Sequence, residues 1–136
     1  MPEKFLLGNP AVDMQHEVLF ALYHEVTLSL QEGTDSYNLG DIFLGLNMYV
    51  VNHFQFEEDA MQVSGYPDSS NHCNEHIQLK KNVGLLYQRF LDVQGKPEEK
   101  QVAQEIATFL YQWLEHHIAK VDRYLCQYLQ EQKIDA

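Results

Sequence analysis

Apolar residues recur at steps of three and four along most of the chain, in four blocks punctuated by Gly and Pro. The first block runs from about Val12 to Gln31 and stops near Gly33, with Val12, Leu19, Phe20, Tyr23, Val26 and Leu30 on one stripe. The second starts near Ser36, a suitable N-cap, and ends at Gly65-Tyr66-Pro67. Ile42, Leu46, Tyr49, Val50, Phe56 and Ala60 form its stripe. The third extends from about Ser70 to Val93, ahead of Gly95, with inner positions 72, 76, 79, 83, 86 and 90. The fourth opens at Pro97-Glu98-Glu99, where proline suits a first turn and acids suit the positive end of the helix dipole. Its inner face carries Val102, Ile106, Phe109, Leu110 and Trp113.

This spacing is that of helices packed along a seam, and no segment alternates with period two. The connections are short, so sequence neighbours run antiparallel. The pattern predicts an all-α, up-down-up-down four-helix bundle with an N-terminal arm and a short C-terminal helical segment. There is no internal repeat, low-complexity tract or linker, and residues 1–136 are expected to form one domain. Only the first ten residues and the tail after Gln130 read as irregular.

Histidines interrupt these apolar stripes. His72 and His76 take the first two inner positions of the third helix, and His53 continues Ile42, Leu46 and Tyr49 on the second. His16 falls between Val12 and Leu19, and His117 continues Ile106, Phe109 and Trp113. Five of the 7 histidines thus project inward, from all four helices. One buried histidine is ordinarily a hydrogen-bonded core residue. Five are hard to satisfy in a bundle whose backbone groups are already paired, and unpaired polar nitrogens are costly to bury. A metal satisfies them together, with neutral imidazole as ligand.

The spacings support this reading. Residues four apart on a helix lie about 40° apart in projection, so His72 and His76 form a clamp and His53 and Glu57 a second one. His117 and Asp122 stand five apart, which in an unbroken α-helix separates them by about 140°. For both to reach one centre, the helix must break or bulge within Ile118-Ala119-Lys120-Val121. Five imidazoles and two carboxylates exceed what one ion can hold. Shared between two octahedral ions, with both carboxylates and one oxo or hydroxo group bridging, they fill every position but one. An open position marks a reactive site rather than a structural one. The odd number of histidines puts three on one ion and two on the other. Structural zinc favours tetrahedral sites and thiolates, and magnesium and calcium favour oxygen. The imidazole-rich set suits iron, although affinity alone leaves zinc and manganese open.

Several segments resemble the hemerythrin family, its bacterial single-domain members in particular. They are Asp13-Met14-Gln15-His16, His53-Phe54-Gln55-Phe56-Glu57-Glu58, Gly65-Tyr66-Pro67, His72-Cys73-Asn74-Glu75-His76, and Trp113-Leu114-Glu115-His116-His117-Ile118 with Asp122. The resemblance covers about residues 5–125, and the order of the segments is more specific than any one of them. It implies a non-haem di-iron site in which His72, His76 and His117 hold the saturated iron. His16 and His53 would hold the iron with the free position, and Glu57 and Asp122 would bridge. It further implies that O2 binds reversibly at that position, in a dry pocket. Leu114 and Ile118 resemble the family's pocket-lining positions, and one of Phe54 and Phe56 would face the site. The chain departs from bacterial relatives at Phe5, where they often carry Trp, and at Gly8-Asn9-Pro10-Ala11. Neither departure touches a ligand.

The other residues weigh towards ordinary roles. His24 is expected at the surface or in a simple hydrogen-bonding role. His116, about 100° from His117, is expected in solvent and is the substitute should His117 not be a ligand. Cys73 and Cys126 read as inert thiols, and Tyr23, Tyr49 and Tyr87 as core. Ferritin-like enzymes use Glu-x-x-His pairs, and no Glu here stands three residues before a His. A histidine-rich site favours reversible binding over powerful oxidation, so no catalytic residue is assigned and an oxygen carrier, store or supplier is expected. Sensing of O2, NO or redox state is the alternative and would require a partner protein. A di-iron peroxidase or oxidase ranks next, and iron handling last.

Composition narrows the setting. Hydrophobic residues at 45% and charged ones at 21% describe a globular chain. A net charge of −11 repels phosphate backbones and anionic lipid, so neither nucleic acid nor a membrane surface is an expected partner. Two cysteines make no disulfide framework and fit a reducing compartment. The first residues lack the basic and apolar stretches of a signal peptide, and no apolar run approaches the roughly 18 residues of a membrane span. A soluble, cytoplasmic protein is expected.

Overall fold

A computed structural model describes residues 5–32 and 38–132. Helix α1 spans Pro10–Glu32, α2 Leu39–Ser64, α3 Ser69–Val93 and α4 Glu99–Gln112. A π-helical segment, Trp113–Asp122, continues α4 directly into α5, Arg123–Glu131, so the three form one rod. No strand is present among the described residues. Each helix packs on its sequence neighbour and α1 closes on α4, which makes a four-cornered bundle.

The helix boundaries follow local chemistry. Gly65 ends α2 in the left-handed region at φ 67°. Tyr66 N–H then reaches back to the Met61 carbonyl at 3.1 Å, and the two side chains pack together, as expected of a glycine-capped helix end. Gly95, at φ 77°, turns the chain into α4, and the Glu99 carboxylate accepts its N–H at 3.1 Å. The expected stop at Gly33 and cap at Ser36 lie outside the described residues. The residue preceding α2 is Asn38, at φ 51° and without a side-chain cap bond. α4 starts at Glu99, two residues after Pro97.

Two core assignments are corrected. On α2 it is Phe54, 1% exposed, that lies in the core, while Phe56 is half-buried. At 100° per residue, Phe56 falls about 85° from the middle of the face set by Ile42, Leu46, Val50 and Glu57 and Phe54 about 75° from it on the other side, so the packing of neighbouring helices decides which one is buried. Tyr87, expected in the core, is 41% exposed and sets its ring edge against Phe43 at the rim. Tyr49 is buried and Tyr23 half-buried. Phe5, before the first helix, is buried in the core.

Buried apolar residues fall into two clusters. The larger joins Leu19, Leu46, Phe54, Ile106, Trp113 and Ile118 with their neighbours; the smaller joins Met61, Tyr66, Leu125 and Leu129. Along α2, Glu57 stands between Phe54 and Met61. Along the last rod, Asp122 stands between Ile118 and Leu125. The boundary between the clusters is therefore polar, and it contains the functional candidates.

Candidate metal centre

Seven polar residues are 2% exposed or less: His16, His53, Glu57, His72, His76, His117 and Asp122. They come from α1, α2, α3 and the π-helical segment. The α-helical members meet by ordinary periodicity: His53 and Glu57, like His72 and His76, stand one turn apart on one face. His117 and Asp122 meet because the backbone between them is π-helical. Bonds from residue i to i+5 place residues five apart above one another. The departure expected within Ile118–Val121 is therefore present, and it extends back to Trp113.

Every Nε2 atom faces the middle of the cluster. Asp122 divides them between its two oxygens. Oδ2 lies 3.0 Å from His16 and 3.5 Å from His53, and Oδ1 lies 3.0 Å from both His72 and His117. Glu57 Oε1 lies 3.2 Å from His53, 3.3 Å from His72, 3.1 Å from His76 and 4.0 Å from His117. Two sets of donor atoms, each within 4.8 Å of one another, result: Glu57, His72, His76, His117 and Asp122, and His16, His53, Glu57 and Asp122. They share only the two carboxylates.

The electrostatics are those of a compact ion network. Burial pulls the imidazoles down, but Glu57 and Asp122 outweigh it, leaving His53 and His72 pushed up to about 10 and His117 to about 9. Burial and mutual repulsion push the Glu57 carboxyl up, yet its imidazole neighbours hold it well below the carboxylate range. Asp122 is held down likewise, His117 foremost, against its own burial. Charge pairing does not satisfy the geometry, however. His72 Nε2, His117 Nε2, Asp122 Oδ1 and Glu57 Oε2 are buried without an aligned hydrogen bond. Lone pairs that lie about 3 Å apart but miss one another are those of donors aimed at a common third atom. This donor set, five imidazoles and two carboxylates with inward orphaned atoms, fits a pair of divalent or trivalent transition-metal ions.

The outer face of the rings shows residues that the spacing did not single out. Gln15 Oε1 accepts from His53 Nδ1, Glu58 Oε2 lies 3.2 Å from His76 Nδ1, and Glu75 Oε1 lies 3.5 Å from His117 Nδ1. All three directly precede or follow a cluster residue in sequence, which is the one signal that could have found them.

Apolar walls enclose the cluster. Phe54 stacks on His76 with ring centroids 3.8 Å apart and planes 5° apart, and approaches His117 to 6.0 Å. Leu114 and Ile118 are fully buried. Tyr49 stacks on His53 at 4.9 Å and has a buried hydroxyl without a hydrogen-bond partner. A cavity of about 300 Å³, lined by Gln15, Val18, Gly45, Met48, Tyr49, Asn52 and His53, opens beside the outer edge of His53. The remaining histidines stay outside: His24 is exposed, and His116 is 64% exposed and pairs with Glu75 at 3.1 Å. Cys126 is buried and Cys73 half-buried, both as free thiols that burial pushes up.

Bundle and site together define a helical protein with an interior cluster of histidines and carboxylates able to hold metal. The profile of the hemerythrin HHE cation binding domain matches residues 7–129. The chain belongs to the hemerythrin family. It is 35% identical over 113 residues to a bacteriohemerythrin of Methylococcus capsulatus, covering 82% of this chain and 80% of that one. It is 28% identical over 124 residues to a bacteriohemerythrin of Clostridium acetobutylicum, covering 89% and 93%. A bacteriohemerythrin of Stenotrophomonas maltophilia is 26% identical over 117 residues, covering 86% and 72%. No helix among the described residues is long and apolar enough to cross a membrane.

Proposed function

We propose that the chain is a non-haem di-iron protein that binds O2 reversibly, with residues 1–136 forming a single hemerythrin-like domain. The observation that carries this reading is the pair of donor sets sharing only Glu57 and Asp122. His72, His76 and His117 would hold one iron, His16 and His53 would hold the other, and Glu57 and Asp122 would serve both. When bound, the iron pair supplies the electrons that reversible O2 uptake requires.

The chain's own residues make that chemistry reversible rather than destructive. Nε2 of each ring serves the centre, and an acceptor on Nδ1 fixes the tautomer of His53 and His76. The negative charges of Glu57 and Asp122 offset the cations inside a dry interior. Leu114, Ile118 and Phe54, each 1% exposed or less, would keep water from the centre. Phe56 is half-buried on another face of α2. Two free thiols accord with a reducing, cytoplasmic setting.

The test is anaerobic loading with ferrous iron, followed by air. Two irons per chain and a visible spectrum that appears in air and reverts under vacuum are expected. One iron per chain, or prompt conversion to the oxidised form with no reversible stage, would refute the proposal.

A further inference from the structure

The outer sides of the five imidazoles are not alike, and the difference follows the two donor sets. In the three-histidine set, His76 Nδ1 is paired with the Glu58 carboxylate at 3.2 Å, and the Glu75 carboxylate lies 3.5 Å from His117 Nδ1 as an ion-pair neighbour without an aligned hydrogen bond. His72 Nδ1 is buried with no hydrogen-bond partner. In the two-histidine set, His53 Nδ1 meets the neutral amide oxygen of Gln15, and His16 Nδ1 has no hydrogen-bond partner. Carboxylates therefore support one half of the centre, and at most a neutral amide supports the other.

We propose that Glu58 and Glu75 are positioning residues that make the three-histidine half the stronger electron donor, so that an electron entering the oxidised centre settles on the two-histidine ion. This rests on the di-iron reading above. With Nε2 committed to a metal, the proton of each ring sits on Nδ1. Sharing it with a carboxylate moves electron density onto the ring and strengthens its metal bond, whereas sharing it with an amide does so less. A stronger donor set favours the ferric ion. The two-histidine half has fewer rings and weaker support, so its iron is the easier to reduce, and Gln15 orients His53 without adding charge. Glu58 and Glu75 are 35% and 27% exposed, so water screens their bare charge; Glu58 acts mainly through its hydrogen bond, and Glu75 through its close charge and the bond it makes when the His117 proton turns to it.

The test uses the iron-loaded full chain and its variants E58Q, E75Q and Q15E, which exchange amide and carboxylate at nearly constant shape. Iron per chain is measured first. The two one-electron reductions of the diferric centre are then followed at an electrode by visible absorption, each step adding one electron from the electrode. E58Q and E75Q are expected to raise the second reduction potential, that of the three-histidine ion, by about 59 mV or more and to leave the first in place. That shift is a tenfold loss of preference for the ferric ion. Q15E is expected to lower the first potential and leave the second in place. Competition with a chelator is expected to show about 10- to 100-fold weaker iron binding in E58Q and E75Q.

Two irons bound in each variant with the potentials unmoved, or both potentials moved equally, overturns this inference and leaves the di-iron reading standing. A wild-type chain that takes up fewer than two irons overturns both. If either glutamine variant does not fold, Q15E carries the same test in the opposite sense at the other half.

Discussion

Asp122→Asn isolates the charge of one carboxylate from its shape. Asp122 is fully buried and lies within 3.0 to 3.5 Å of four imidazole nitrogens. In the metal-free protein three of those rings, His53, His72 and His117, are pushed up to about 10, 10 and 9, so at pH 6 they carry protons. The substitution removes one of the two anions facing these buried cations. Breaking a buried ion network by removing one partner costs about 3–5 kcal/mol, a large share of the roughly 5–15 kcal/mol that holds a domain of this kind together. At a urea slope of about 2 kcal/mol per M, the unfolding midpoint drops by about 2 M.

The loss must depend on pH in one direction. The folded values of the three histidines lie above their ordinary 6.5. Their contribution is thus complete below about 6.5 and disappears as pH rises through about 9 to 10. The carboxylates are held below their ordinary 4.5 and 3.8, so their contribution is complete above those values and disappears only in strong acid. The D122N deficit is therefore largest between about pH 4.5 and 6.5 and shrinks towards pH 10. Urea unfolding of metal-free protein at pH 6 and pH 10, followed by circular dichroism, measures it. A deficit under about 1 kcal/mol at pH 6, or one that grows with pH, would refute the reasoning. In the metal-loaded form an amide offers one oxygen where Asp122 offers two, and iron content should fall from two per chain to one or none.

Other perturbations test other parts of the structure. Phe54→Ala leaves a void against His76, Trp113 and Tyr49; a loss of about 3–5 kcal/mol in urea unfolding is expected, with faster oxidation of the oxygenated protein as water gains access. Gly65→Ala meets nothing within 4 Å but must hold φ 67°, so thermal unfolding should show only the backbone cost of about 1–2 kcal/mol. Loading the metal-free chain at pH 7 must strip the protons from His53, His72 and His117. A pH-stat should record proton release on metal addition, and affinity should weaken as pH is lowered.

The helices and the inward histidines were legible because both obey one periodicity. A polar residue in an apolar stripe is visible without knowing any distance. The π-helical segment was legible only through chemistry: five-residue spacing between His117 and Asp122 contradicts an α-helix if both serve one centre. Its reach back to Trp113 was not, since backbone hydrogen bonding adjusts over a whole turn and leaves no residue pattern. Phe54 and Phe56 were not separable by counting, because each lies near an edge of the buried face and packing of the neighbouring helices decides between them. Gln15, Glu58 and Glu75 were hidden for a different reason. Long flexible side chains reach the outer ring nitrogens through rotamers that sequence does not specify.

The cluster also bears on why these seven positions are polar at all. They occupy the seam of the bundle, between two apolar clusters that leucine or phenylalanine would join into one. Replacing a buried ion network with well-packed apolar residues is often neutral or stabilising by about 1–4 kcal/mol. An α-helical backbone already uses its own carbonyls and amides, so it offers buried imidazoles no relief, and the carboxylates supply charge without satisfying His72 Nδ1 or His16 Nδ1. The widened helix at Trp113–Asp122 serves the same seven residues, since it sets His117 and Asp122 on one face. A fold that gives up core packing at one layer and regular helix at one segment, both in favour of the same inward donors, is organised around what those donors hold.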